Sequence, residues 1–127
     1  MNGPTRHLKH ILVVDDEPFV ADSVRFLLEG EGYIIDQASS GYEALGKFEA
    51  GKFDMVFTDY LMPEMRGDKL AAAIKSLSPE QPVVMITAFP EKLQSSSCPL
   101  GGVDSFICKP FDGRMLRTVL ARYAPSK

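Results

Sequence analysis

The chain has no tryptophan and only two cysteines, Cys98 and Cys108, among its 127 residues. Two thiols make no disulfide framework, so the fold must rest on a hydrophobic core. Reduced thiols are expected, with Cys108 packing as a small hydrophobe in an apolar strand. No apolar stretch reaches the roughly 20 residues that a membrane-spanning helix needs. The stretch Met1 to His10 is polar and has no apolar h-region, so no secretory signal and a cytoplasmic location are expected. Lys and Arg form no run. With a net charge of −3 and a pI near 5.3, nothing draws the chain to nucleic acid, and direct DNA binding is not expected. There is no internal repeat and no linker. At this length, with 45% hydrophobic and 24% charged residues, one globular domain with one core is expected. It is placed over residues 10–124, with a loose leader over 1–9 and a tail over 125–127.

What is present is a set of short apolar runs with polar residues at their ends. Ile11-Leu12-Val13-Val14 ends at Asp15 and Asp16, and Met55-Val56-Phe57-Thr58 ends at Asp59. Val83-Val84-Met85-Ile86 ends at Thr87, and Phe106-Ile107-Cys108 is followed by Lys109. Runs this short and this rich in Val and Ile read as strands buried on both faces.

Between them lie helical patterns. Pro18 suits a first helical turn, and Phe19, Val20, Val24, Leu27 and Leu28 recur at helical spacing over about 18–29. Tyr33 to Gln37 reads as a strand. A second helix opens at Ser40-Gly41 and ends near Gly51. A third covers about 68–77, with Leu70, Ala71, Ile74 and Leu77 inward. The stretch Glu91 to Ser97 makes a poor helix beside Pro99. A last helix covers about 112–124. Five alternations of strand and helix predict a parallel sheet with helices on both faces and right-handed crossovers.

In such a sheet the carboxyl ends of the strands share one edge, where ligands bind. Asp15, Asp16, Asp59, Thr87 and Lys109 therefore converge on one cleft. Carboxylates gathered together repel one another unless a cation joins them. Mg²⁺ is the natural choice, because it takes oxygen ligands and usually only one or two protein carboxylates beside phosphate and water. Asp59 is a candidate nucleophile, since carboxylates form aspartyl phosphates. A metal on one side and the Lys109 ammonium on the other would neutralise a phosphoryl group in transit. A cis Lys109-Pro110 peptide would aim that side chain into the cleft. Thr87 would donate its hydroxyl to a phosphoryl oxygen. His7 and His10 flank Lys9 with no third ligand near, and solvated side chains are expected of both.

The sequence resembles a receiver domain of the two-component response regulators over about residues 10–124. Val13-Val14-Asp15-Asp16-Glu17-Pro18 resembles the family's acidic pair. Asp59-Tyr60-Leu61-Met62-Pro63, followed by Met65-Arg66-Gly67, resembles its phosphoacceptor motif. Thr87-Ala88 resembles its switch pair, and the segment from Gly102 to Phe111 resembles its last motif. The resemblance implies a flavodoxin-like, doubly wound (βα)5 fold with strand order 2-1-3-4-5. It implies a phospho-aspartate switch dependent on Mg²⁺ (or Mn²⁺), fed by a histidine kinase or a histidine phosphotransfer protein. Asp16, Asp59 and the backbone carbonyl of Leu61 would ligate the metal, with Asp15 acting mostly through water. Thr87 and Lys109 would hold the phosphoryl oxygens, and Phe106 would be the switch aromatic. The fourth helix, fifth strand and fifth helix would form the output face toward an output protein or effector domain, with a phosphorylation-dependent homodimer as one use of it. Catalysis would be limited to the domain's own phosphorylation and dephosphorylation.

Three features depart from the family pattern. Ser95-Ser96-Ser97-Cys98-Pro99 falls in the fourth-helix region, where it should shorten the helix and alter partner choice. Leu61 and Phe89, two residues after Asp59 and Thr87, are apolar and cannot orient water, which predicts slow self-dephosphorylation. Phe106 lacks the hydroxyl of a tyrosine. Two other classes compete. A Mg²⁺-dependent phosphatase or phosphotransferase on a small molecule lacks its Asp-x-Asp pair and substrate loop here. A receiver that only binds would be expected to lose an acidic or lysine position, and none is lost. A dinucleotide-binding unit is a weak third, because no glycines follow the first strand.

Overall fold

A computed structural model describes residues 9–87, 103–109 and 111–123. Five strands are present: β1 (His10–Val14), β2 (Ile34–Ala38), β3 (Met55–Asp59), β4 (Val83–Thr87) and β5 (Ser105–Cys108). Four helices are found among the described residues: α1 (Pro18–Gly30), α2 (Gly41–Lys47), α3 (Gly67–Leu77) and α4 (Gly113–Tyr123). The strands form one sheet of order β2-β1-β3-β4-β5, and every pairing is parallel. This is the flavodoxin-like order that the family resemblance implies.

The sheet divides the core into two layers. Alternate residues of a strand point to opposite faces. Ile11, Val13, Phe57, Val84 and Ile86 pack with Val24 and Leu28 of α1 and with Leu116, Val119 and Leu120 of α4. Leu12, Val14, Val56 and Val83 pack on the other side with Ala44 of α2 and with Leu70, Ala71 and Ile74 of α3. The central strands β1, β3 and β4 are thus buried on both faces. The edge strands are not, since only Ala38 of β2 and Ile107 of β5 are buried. Cys108 is accordingly half-buried rather than a core hydrophobe.

Local chemistry fixes the helix starts. Pro18 sits in the first turn of α1. Ser40 caps α2 by accepting the Glu43 N–H at 3.0 Å, and Glu43 in turn accepts from the Ser39 N–H and hydroxyl, a variant of the capping box.

Several expectations need correction. Helix α2 ends at Lys47 rather than near Gly51, because Phe48 and Phe53 leave the helical path to bury themselves beneath it. Leu77 is 60% exposed, not inward, and Phe19 is 87% exposed. His10 is not a solvated side chain: its Nε2 lies 3.1 Å from Asp36 Oδ2 and its ring meets Phe53 edge-on at 4.9 Å. The expectations for His7, Phe89, the Ser95–Pro99 stretch and the cis Lys109-Pro110 bond fall on or next to residues outside those described.

Candidate functional site

The sheet register alone brings the site together. Val14 lies beside Thr58, Asp59 beside Ile86, and Thr87 beside Cys108. Asp15, Asp59, Thr87 and Lys109 therefore leave four neighbouring strands at one level. The Lys109 N–H donates to the Thr87 carbonyl at 2.8 Å, holding the lysine backbone against the end of β4. Asp16, Glu17, Val20, Asp59, Leu61, Thr87 and Lys109 line an open cleft of about 400 Å³.

Asp15 and Asp59 are 4% and 7% exposed, and Asp16 is more open than either. One carboxylate oxygen from each of the three lies within 4.8 Å of the others. Lys109 Nζ stands 3.3 Å from Asp59 Oδ1 and 3.9 Å from Asp15 Oδ2. Backbone donors hold one oxygen of each of the two buried acids. The Glu17 N–H reaches Asp15 Oδ1 at 2.8 Å, and the Tyr60 N–H reaches Asp59 Oδ1 at 2.9 Å. Burial pushes the Asp15 carboxyl up to about 6, with the Asp59 and Asp16 charges adding to it and the Glu17 N–H and Lys109 opposing. Burial likewise raises Asp59, against the pull of Lys109. One ammonium thus offsets three acids only in part. Asp15 Oδ2 is buried with no hydrogen-bond donor, and a buried polar atom without a partner is costly. Clustered hard oxygens and an orphaned carboxylate oxygen fit a divalent cation such as Mg²⁺.

The loop after β3 is pinned to the site. The Gly67 N–H donates to the Tyr60 carbonyl at 2.8 Å, and a Cβ at position 67 would stand 2.2 Å from the Asp59 carbonyl oxygen. Only glycine allows α3 to start this close to the backbone of Asp59. Glu64, in the same loop, has φ of 70°, a left-handed backbone that non-glycine residues rarely adopt.

All the side chains predicted to gather are gathered: Asp15, Asp16, Asp59, Thr87 and Lys109. Leu61 is on the cleft wall and half exposed. Phe106 lies one strand over, beside Met85 in register and half-buried. Sequence reasoning missed Glu17 as the backbone partner of Asp15, and Val20 as a cleft wall. The Asp-Asp-Glu-Pro run at a strand end was the available signal for both.

The family description "Response regulator receiver domain" matches residues 11–121. Two-component response regulator ORR1 of Oryza sativa subsp. japonica is 39% identical over 121 residues, covering 86% of this chain and 52% of its own length. The chain thus spans about half the length of that curated relative. Among solved structures, response regulator TrrA of Thermotoga maritima, in complex with Mg²⁺-BeF, superimposes with a TM-score of 0.83. It has 33% identity and covers 91% of this chain and 99% of that one. Chemotaxis response regulator CheY4 of Vibrio cholerae gives a TM-score of 0.80 at 30% identity, with 92% and 99% covered.

Proposed function

The chain belongs to the receiver domains of two-component response regulators, and from that premise we propose that Asp59 accepts a phosphoryl group from a phosphohistidine donor. The observation that carries the reading is the Asp59 carboxylate, nearly buried, facing Lys109 at 3.3 Å inside a cleft edged by two further acids. An Asp59 oxygen attacks phosphorus and forms the acyl-phosphate O–P bond. The N–P bond of the donor breaks, its electron pair stays on the imidazole nitrogen, and that nitrogen takes a proton from solvent. The donor is a histidine kinase or a histidine phosphotransfer protein.

Asp16, Asp59 and the Leu61 carbonyl would hold Mg²⁺, with Asp15 acting mostly through water. When bound, the ion supplies the positive charge that Lys109 alone leaves unmet. Lys109 already stands against Asp59, so it can follow the transferred charge without crossing the cleft. Thr87 offers its hydroxyl to a phosphoryl oxygen. The phosphoryl group brings about −1.5 to −2 charge, which draws Thr87 and Lys109 inward and lets Phe106 fill the space behind Thr87. The face that carries β5 and α4 is then altered and presented to an output protein or effector domain. A phosphorylation-dependent homodimer is one such output. This cytoplasmic module does chemistry only on its own aspartate.

Leu61 cannot orient an attacking water, so the acyl phosphate is long-lived. A half-life of only seconds in Mg²⁺ buffer would refute this. The central test is intact-protein mass spectrometry after incubation with acetyl phosphate and Mg²⁺. The expected result is a gain of about 80 Da, one phosphoryl group, that is absent without Mg²⁺ and absent from Asp59→Asn. No gain in the wild type from acetyl phosphate or from a phosphohistidine donor overturns the proposal.

A further inference from the structure

Phe19 and Phe26 of α1 are 87% and 76% exposed. An amphipathic helix buries one stripe and turns the opposite line to water, where polar residues belong. The buried stripe of α1 is Ala21, Val24 and Leu28. The line opposite is Phe19, Ser23, Phe26 and Gly30, spaced by four, three and four residues, and all four are exposed. Neither ring joins either core layer. Gly30 also lacks an internal reason: a Cβ there meets nothing within 4 Å, and the left-handed glycines are Gly32 and Gly51.

The line runs large, small, large, small. Laid antiparallel on a second copy, Phe19 of each helix meets Gly30 of the other, and Phe26 of each meets Ser23. A two-fold axis across the helices gives this self-complementary contact. It also keeps the charged flank of both helices, with Asp22, Arg25 and Glu29, on one side of the contact and away from the apolar line. We propose that α1 is a self-association face whose occupant is a second copy of this chain, packed antiparallel. Two rings this exposed offer about 300–400 Å² per copy, short of the roughly 800 Å² per partner of a stable complex. The dimer is therefore weak and concentration-dependent. Glu17 and Val20 line the cleft from the start of this helix, so pairing along α1 stands at the rim through which a phosphodonor must approach.

The experiment is sedimentation equilibrium of the unphosphorylated protein from about 10 μM to about 1 mM. A monomer–dimer equilibrium is expected. Ser23→Leu adds apolar surface yet should weaken the dimer by about tenfold or more, because it fills the hole that receives Phe26. Phe26→Ser should weaken it as much. The double exchange Ser23→Phe with Phe26→Ser sets large against small again and should restore the wild-type constant. Circular dichroism verifies that each variant is folded. A monomer at every concentration, a dimer indifferent to these changes, or a dimer tightened by Ser23→Leu overturns the proposal. If the protein stays monomeric while Phe26→Ser slows transfer from a phosphohistidine donor but not from acetyl phosphate, the stripe belongs to the donor instead.

Discussion

Asp15 is an acid placed where its charge is disfavoured. Its carboxyl sits near 6 in the fold, above the value of about 3.9 expected in an unfolded chain. Between about pH 4 and pH 6 the folded state therefore holds more protons, and stability falls as pH rises through that window. In metal-free buffer, Asp15→Asn should stabilise the protein at pH 7 by up to about 3 kcal/mol. The gain should shrink toward zero near pH 4, as urea melts at several pH values would show. Glu64 is a second residue held against its preference, with φ of 70°. Glu64→Gly should add about 1 kcal/mol to stability in the same melts, since a left-handed backbone costs a side chain about 1–2 kcal/mol. The acids were legible from their places at strand ends. The strain at Glu64 was not, because neither glycine nor asparagine marks the turn there.

Among the elements, α3 depends most on a single atom's absence. With the Asp59 carbonyl 2.2 Å from a Cβ at position 67, Gly67→Ala must push α3 off the end of β3. A loss of more than about 2 kcal/mol by urea melt is expected, together with slower labelling by acetyl phosphate. The sequence showed Gly67 as part of a motif, but the reason lies in a backbone approach that no residue pattern reports. Asp104 is a similar case. Its Oδ2 takes the Val83 N–H at 2.7 Å and Lys75 Nζ at 2.9 Å, and its carbonyl takes the Tyr123 hydroxyl at 2.9 Å. This clamp ties α3, β4 and α4 to the start of β5, and no local signal announces it. Asp104→Ala should cost about 1–3 kcal/mol, the usual penalty for orphaning a half-buried donor. Strands β1, β3 and β4 were plain from their short apolar runs. The end of α2 was not, because Phe48 and Phe53 are recruited to the core after the helical pattern has stopped.

The whole molecule is one sheet filled on two sides. Leu116 anchors one layer and Ile74 the other, each essentially fully buried. Both layers share β1, β3 and β4, so neither can open without exposing the strands that hold the other. Leu116→Ala and Ile74→Ala should each cost about 2–5 kcal/mol, and both variants should still unfold in a single transition of unchanged steepness. Two transitions would mean that the layers are separable. Parallel pairing was legible because strand and helix alternate along the chain, whereas the strand order followed only from the family resemblance. Which face each helix covers emerged only from three-dimensional packing.

The cleft draws its parts from nearly the whole length of the chain, and this sets an order of events during synthesis. Asp15 and Asp16 leave the ribosome first and Asp59 follows, so the three carboxylates can converge as soon as β1 and β3 pair. Lys109 arrives only with β5. A chain in which β1 and β3 had paired without β5 would hold this acidic corner without its ammonium, and the docking of β5 along β4 would deliver that charge.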